Sequence, residues 1–370
     1  MPDEGPRSGD GDTKTKTTMA EALDNRGNVK QDSTKDAREG NSEPTPPGDD
    51  EGLEAEEDFP DVDSALGADD ASLTTSLRSS ILQHRMENGR TYHAYLESIG
   101  YVLPNDGSEQ DRLDLQHHLF RLTLGKLFIC PAGHYKPIQR ILDAGTGTGV
   151  WAMDIADEHP ETEVTGVDLS PIQPSFVPPN VSFIIDNLED EWEYPAKFDF
   201  VFGRMLTGSI SDWPRFIEQS YNNLESGGWF ELQDISMRPE CQDGTLVKDS
   251  YIHKWSDAML EAAARLGRHA DSAVLYRQQM VDAGFINVTE VVYKWPTNQW
   301  PADDHYKELG FWCLHNVAGE LSGLSMALFT RSLGWTVEQV EVFLTSVRAE
   351  MKDRRIHAWW PIHVVYGQKP

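Results

Sequence analysis

Basic side chains are scarce: 32 Lys and Arg stand against 61 Asp and Glu, a formal net charge of −29. With no basic stripe to displace counterions, the composition argues against direct binding to nucleic acid or to anionic lipid. Cysteine is scarcer still. The three present, Cys130, Cys241 and Cys313, lie far apart with no partner at CxxC or metal-ligand spacing, so three reduced thiols and no metal are expected. No apolar run approaches the ~20 residues of a membrane span, and the first residues lack a secretory leader's hydrophobic segment. The expected location is therefore the cytoplasm, with the nucleus as the alternative.

Aromatic residues are almost missing from residues 1–75, where Phe59 stands alone among Asp, Glu, Gly, Ser, Thr and Pro. That stretch carries about half of the chain's acidic excess. It has too little apolar surface to offset the entropy of folding and reads as a disordered, solvated extension. What remains is 39% hydrophobic over the whole chain, enough for a large core.

Order is expected to begin near SLRSSILQHRMENGRTYHAYL, whose apolar spacing predicts helix. A helical front segment then runs to about Cys130, including SEQDRLDLQHHLFRLTLGKLF with Ser108 as its cap and Leu113, Leu119, Leu122 and Leu127 on its apolar face. From Arg140 the pattern alternates. RILDA, EVTGVDL, VSFIID, FDFVFG and WFELQDI read as strands; GVWAMDIADEHP and DWPRFIEQSYNNLESGG read as helices, the second opened by Asp212 and closed by Gly227 and Gly228. Such alternation implies parallel pairing through right-handed crossovers, hence a doubly wound α/β sheet. Helical stretches follow over 250–283, then the strand VTEVVYKWP, three helical stretches over about 304–352, and a last strand in HAWWPIHVVYGQKP.

The loop after the first sheet strand reads LDAGTGTGVWAMD. In a doubly wound sheet, ligands bind beyond the carboxyl ends of the strands, where strand order reverses. Gly145, Gly147 and Gly149 let the backbone turn tightly and let a ligand approach. A dinucleotide fingerprint, G-x-G-x-x-G, would need a glycine where Val150 stands. Asp143 sharpens the distinction: a carboxylate there opposes a pyrophosphate and suits the ammonium and sulfonium charges of S-adenosylmethionine. Asp168, about 20 residues beyond the loop, is placed for ribose hydroxyls. Asp186 and Asn187 end the third strand at the height of an adenine edge, Leu188 could pack on the ring, and Gly203-Arg204-Met205 would flank the methionine part.

With these residues assembled, the chain resembles the fungal LaeA-like, or UMTA-type, class I methyltransferases from about residue 80 to the C-terminus. The resemblance is carried by ENGRTYHAY, LPNDGSEQDRLDLQHHLF, LDAGTGTGVWAMDIADEHP, GVDLSPIQPSFVPPNVSFIID, EDEWEYP, GSISDWPRFIEQSY, GGWFELQDI, DGTL, AGFINVTE, RSLGWTVEQVEVFL and IHAWWPIHVVYGQKP. It implies a Rossmann-like sheet, mostly parallel with the last strand antiparallel. An N-terminal helical cap (76–135) would precede a methyltransferase domain (136–370) with a helical insertion at about 304–352. The implied S-adenosylmethionine site comprises Asp143, Gly145, Thr146, Gly147, Gly149, Asp168, Leu169, Asp186, Asn187 and Arg204. The family's ENGRxYH box falls on Glu87 to His93 and makes Tyr92 a lid contact. Two positions depart from the pattern: Ala144 replaces a leucine, and TGTG stands where the regulator LaeA-type pattern reads CGTG. The tail PIHVVYGQKP is nearer the UMTA-type branch.

Methyl transfer needs alignment and exclusion of water more than proton chemistry; a base is required only if the acceptor must lose a proton. Candidate catalytic groups are His117, His118, Glu231, Asp234 and His315, with His363 and His315 read first as packing residues. Trp295, Trp300, Trp312, Trp335, Trp359 and Trp360 crowd the second half and could fill a cap or wall a flat acceptor. The expected function is methylation of a small molecule in fungal secondary metabolism, with a small-molecule acceptor as partner. The alternative is a LaeA-like nuclear regulator working through protein partners, although no Lys/Arg-rich nuclear signal is present beyond KDRR at 352–355.

Overall fold

The computed structural model describes residues 84–93 and 101–370; the acidic stretch 1–75 lies outside them, as do residues 76–83 and 94–96 of the helix expected from 76 to 96. Within that expected helix, residues 84–93 instead form a hairpin of β1 (His84–Glu87) and β2 (Arg90–His93). Asn88 and Gly89 take φ of 50° and 79°, the left-handed pair that a two-residue hairpin turn demands, and this local chemistry overrides the helical spacing. Helix α1 (Gly107–Leu124) is capped not by Ser108 but by Asp106, which accepts from Glu109 N, while Ser108 Oγ donates to Glu320. Gly125, at φ 66°, ends α1 well before Cys130. Asp106 also receives Arg90 Nε at 2.5 Å, and Arg331 holds Glu87 at 2.6 Å, so the hairpin is tied to α1 and to the later helices.

The sheet begins with β3 (Arg140–Ala144), α2 (Val150–Glu158), β4 (Glu163–Asp168), β5 (Val181–Ile185), β6 (Phe198–Arg204), α3 (Trp213–Asn222) and β7 (Leu224–Ile235). Its strands run parallel in the order β5-β4-β3-β6-β7. After β8 (Glu240–Cys241), α4 (Tyr251–Arg265), α5 (Tyr276–Asp282) and β9 (Ile286–Pro296) come α6 (Asp304–Ala318), α7 (Leu321–Leu328), a π-turn at Phe329–Leu333 and α8 (Val337–Lys352). The chain closes with β10 (Ala358–Gln368), antiparallel as the family resemblance implies, with β7 on one side and β9 on the other. Gly227 and Gly228 do not close α3, which stops at Asn223. They lie inside β7 at an irregularity opposite Phe198–Phe200, where a Cβ on Gly228 would stand 2.9 Å from Glu225 O.

Alternate strand residues serve opposite faces. Ile141, Phe200 and Phe202 pack with Trp151 and Ile155, Trp151 stacking on Phe202 at 3.8 Å; Leu142, Val201 and Phe230 pack with Phe216, Ile217 and Tyr276. A third cluster, built around Trp255, Leu309, Leu344 and Trp360, joins α4 and α6–α8 into a helical layer at one end of the sheet. No helix among the described residues is long and apolar enough to cross a membrane.

Candidate active site

Strand order reverses at β3, with β4 on one side and β6 on the other, so the carboxyl ends of these three strands open a crevice. A cavity of about 230 Å³ fills it. Asp143, Gly145, Thr146, Gly147, Asp168, Leu169, Asp186, Asn187 and Arg204 all line this cavity, so the structure brings together nine of the positions singled out as cofactor ligands. Gly149 is placed differently. At φ 80° it starts α2, and a Cβ there would meet Phe183 Cζ at 2.3 Å, so it lets the loop close onto the sheet. Tyr92 is not on the wall either: it is 1% exposed beneath the Arg331 guanidinium, 4.8 Å from the ring centre. Tyr101 lines the cavity instead, its carbonyl held by Arg331 Nη1 at 2.8 Å and its ring 5.2 Å from that of His93.

The acidic groups at this end differ in how they are satisfied. Asp168 accepts Gly147 N and Ser170 N, each at 2.9 Å, which fixes the glycine loop to β4. Asp234, 1% exposed, accepts Leu206 N, Thr207 N and the Tyr276 hydroxyl through one oxygen and Ile235 N through the other. It thereby locks the turn after β6, where Met205 is held at φ 54°, a conformation rare outside glycine. Glu231, fully buried, receives Ile129 N, Cys130 N and Gln233 Nε2 and anchors the segment after α1. Asp143 is different. It is 3% exposed, its Oδ2 takes the Thr146 hydroxyl at 2.5 Å, and its Oδ1 has no hydrogen bond among the described residues. Burial pushes its carboxyl up to about 6.

Arg204 is the opposing charge. Burial brings its guanidinium down to about 10; it lies 4.9 Å over the Phe120 ring and donates to His117 Nδ1 at 2.9 Å. That bond makes Nδ1 the acceptor, so Nε2 carries the proton and donates to Asp154 Oδ2 at 2.9 Å. Burial lowers the pKa of His117, consistent with a neutral ring that orients Arg204. None of the catalytic candidates reaches the cavity wall. His118 is exposed and edge-on to Trp312; His315 is exposed rather than in the core and bonds Phe311 O; Glu231 and Asp234 are consumed as anchors; His363 bonds Glu290. Among the described residues the wall holds no histidine, lysine or cysteine.

Several wall residues escaped sequence reasoning. Glu109, Arg112 and Gln116 recur at helical spacing on the buried face of α1, which was read as apolar, and Asn316 faces them from α6. The available signal was the run EQDRLDLQ, whose inward positions are polar at i, i+3 and i+7.

Sheet order, glycine loop and crevice define a class I methyltransferase. A family model described as a methyltransferase domain matches residues 93–290. "Methyltransferase pytC" of Aspergillus terreus is 40% identical over 320 residues, covering 86% of this chain and 96% of the relative. "Probable methyltransferase tdiE" of Emericella nidulans is 38% identical over 71% of this chain and 82% of the relative; "Secondary metabolism regulator LAE1" of Cochliobolus heterostrophus is 37% identical over 77% and 94%. The chain belongs to the LaeA-like family of class I methyltransferases, enzymes that depend on S-adenosylmethionine.

Asp234→Ala would leave three backbone N–H groups and the Tyr276 hydroxyl without their acceptor. The expected loss in urea unfolding is about 3 kcal/mol or more, since each buried unpaired group costs ~1–3 kcal/mol; a change below about 1 kcal/mol would show that Asp234 does not hold this turn.

Proposed function

We propose that the protein methylates a small molecule of fungal secondary metabolism, with S-adenosylmethionine seated on the β3–α2 loop. The observation that carries this reading is Asp143, a buried carboxylate lining the cavity whose Oδ1 has no hydrogen bond among the described residues and which suits an ammonium group. Asp168 keeps lone pairs for ribose hydroxyls beside its two backbone bonds, Asp186 and Asn187 face the base, and Arg204 meets the methionine carboxylate, with His117 orienting it. At Gly147, with φ 59°, an added Cβ would already touch Leu113 Cδ1 at 3.5 Å, so the bare glycine keeps for a ligand the space that a side chain would take. Tyr101 takes the lid role expected of Tyr92.

S-adenosylmethionine supplies a methyl group already activated by its sulfonium. The chain would contribute position and dryness: Asp143, Arg204 and the glycine loop would hold the donor, and the cavity wall would orient the acceptor and keep water from it. With neither histidine nor lysine on the wall among the described residues, this chemistry suits an acceptor that needs no protein base. The cavity continues from the loop between apolar side chains of the helical layer, a concave apolar site of the kind that takes a small acceptor.

Calorimetry tests the cofactor seat. S-adenosylhomocysteine binds the wild type, NAD does not, and Gly147→Arg, which remains folded, loses at least about 100-fold in affinity, ~2.7 kcal/mol. Tight NAD binding with none of the homocysteine compound would sink the assignment. Extracts of a deletion strain decide the acceptor: compounds short of one methyl mass support this reading, whereas broad loss of unrelated metabolites would favour a regulator acting through protein partners.

A further inference from the structure

Beyond the cofactor loop, the same cavity continues between Trp255 and Met259 of α4, Leu324 and Leu328 of α7, and Trp360 of β10. Two features of this inner part bear on what it can hold. First, the ionic groups bordering it are already matched. Glu109 and Arg112, 2% and 7% exposed, form a two-pronged pair with Nε–Oε2 at 2.9 Å and Nη2–Oε1 at 2.6 Å, and Arg268 is paired with Glu189 at 2.8 Å. An ionic ligand entering here would surrender its hydration and meet no uncompensated countercharge. Second, a neutral polar group is left for a ligand. Asn316, 2% exposed and on the wall, spends its Oδ1 on Arg112 Nη1 at 3.2 Å, which leaves its Nδ2 group to donate into the cavity.

Resting on the cofactor reading above, we infer that this inner part is the acceptor site, and that it takes an uncharged, largely apolar molecule bearing a carbonyl-type oxygen hydrogen-bonded by Asn316. The apolar walls provide affinity through burial, the self-neutralised pair Glu109–Arg112 rejects charged analogues, and the Asn316 amide sets which end of the molecule faces α6. With no histidine or lysine on the wall among the described residues and with Glu109 and Glu189 each held by an arginine, the atom methylated is one whose lone pair is available in neutral water.

The test uses the full chain saturated with S-adenosylhomocysteine and two dyes: Nile red, an uncharged planar molecule with a ring carbonyl, and the anionic 8-anilinonaphthalene-1-sulfonate. Nile red is expected to bind at one site with blue-shifted emission and at least about tenfold more tightly than the anion, a difference of ~1.4 kcal/mol. Leu324→Arg should weaken Nile red by about tenfold or more and Asn316→Leu by about three- to tenfold, both leaving S-adenosylhomocysteine affinity within about twofold. Should Leu324→Arg fail to fold, Met237→Lys, on the same wall, carries the same expectation. Tighter binding of the anion, or Nile red affinity unmoved by the wall variants, would overturn the assignment. A wild type that does not bind S-adenosylhomocysteine at all would instead overturn the cofactor reading beneath it, and this inference with it.

Discussion

Carboxylates placed at the ends of sheet strands must be satisfied by something other than water, and here almost everything around the cleft is arranged to do so. Asp168 takes the N–H groups of Gly147 and Ser170, Asp234 those of Leu206 and Thr207, and Glu231 those of Ile129 and Cys130. Each acid thereby nails one connecting segment to the sheet. Asp143 alone among these four keeps an oxygen without a bond among the described residues, and its carboxyl is pushed up to about 6. Between about pH 4 and 6 the folded protein therefore retains a proton that the unfolded chain has released, and stability from this group falls as pH rises through that window. A residue that works against folding and faces a cavity is one whose partner arrives from outside.

The rest of the site follows from that charge. Arg204, buried a strand away, is the opposing charge on the same wall, as the proposed zwitterionic ligand would require, and the neutral ring of His117 holds it by accepting on one side and donating to Asp154 on the other. The hairpin at residues 84–93 contributes at second hand. Glu87 and Tyr92 engage Arg331, and Arg331 grips the carbonyl of Tyr101, which reaches the cavity. The helical layer then closes the far end with apolar side chains, so that one cavity passes from a charged floor to an oily interior.

Much of this was legible in the amino-acid pattern. Alternating apolar runs gave the strand and helix order, the spacing of Gly145, Gly147 and Gly149 separated the loop from a dinucleotide turn, and Asp143 and Asp168 stood where the crevice later placed them. Other features were hidden for physical reasons. Asn88-Gly89 is a hairpin signal two residues long, and it was outweighed by apolar spacing that spans twenty. The inward face of α1 is polar because it borders a cavity rather than a core, so a search for apolar periodicity settled on its leucines. Tyr92 and Tyr101 could be told apart only once the Arg331 bonds were known, and the histidines proposed for catalysis depended on which way their helices faced.

The proposed role of Asp143 as the seat of a cationic group is open to direct measurement. Calorimetry of S-adenosylhomocysteine between pH 5 and 8 measures this directly, because the ligand's ammonium must displace a proton held at about pH 6. Wild-type affinity is expected to rise about tenfold from pH 5 to pH 7 and then level off, whereas Asp143→Asn binds at least about tenfold more weakly at pH 7 and loses that slope. A wild type whose affinity is flat across this range, or an Asp143→Asn variant that binds as tightly as the wild type, would contradict it.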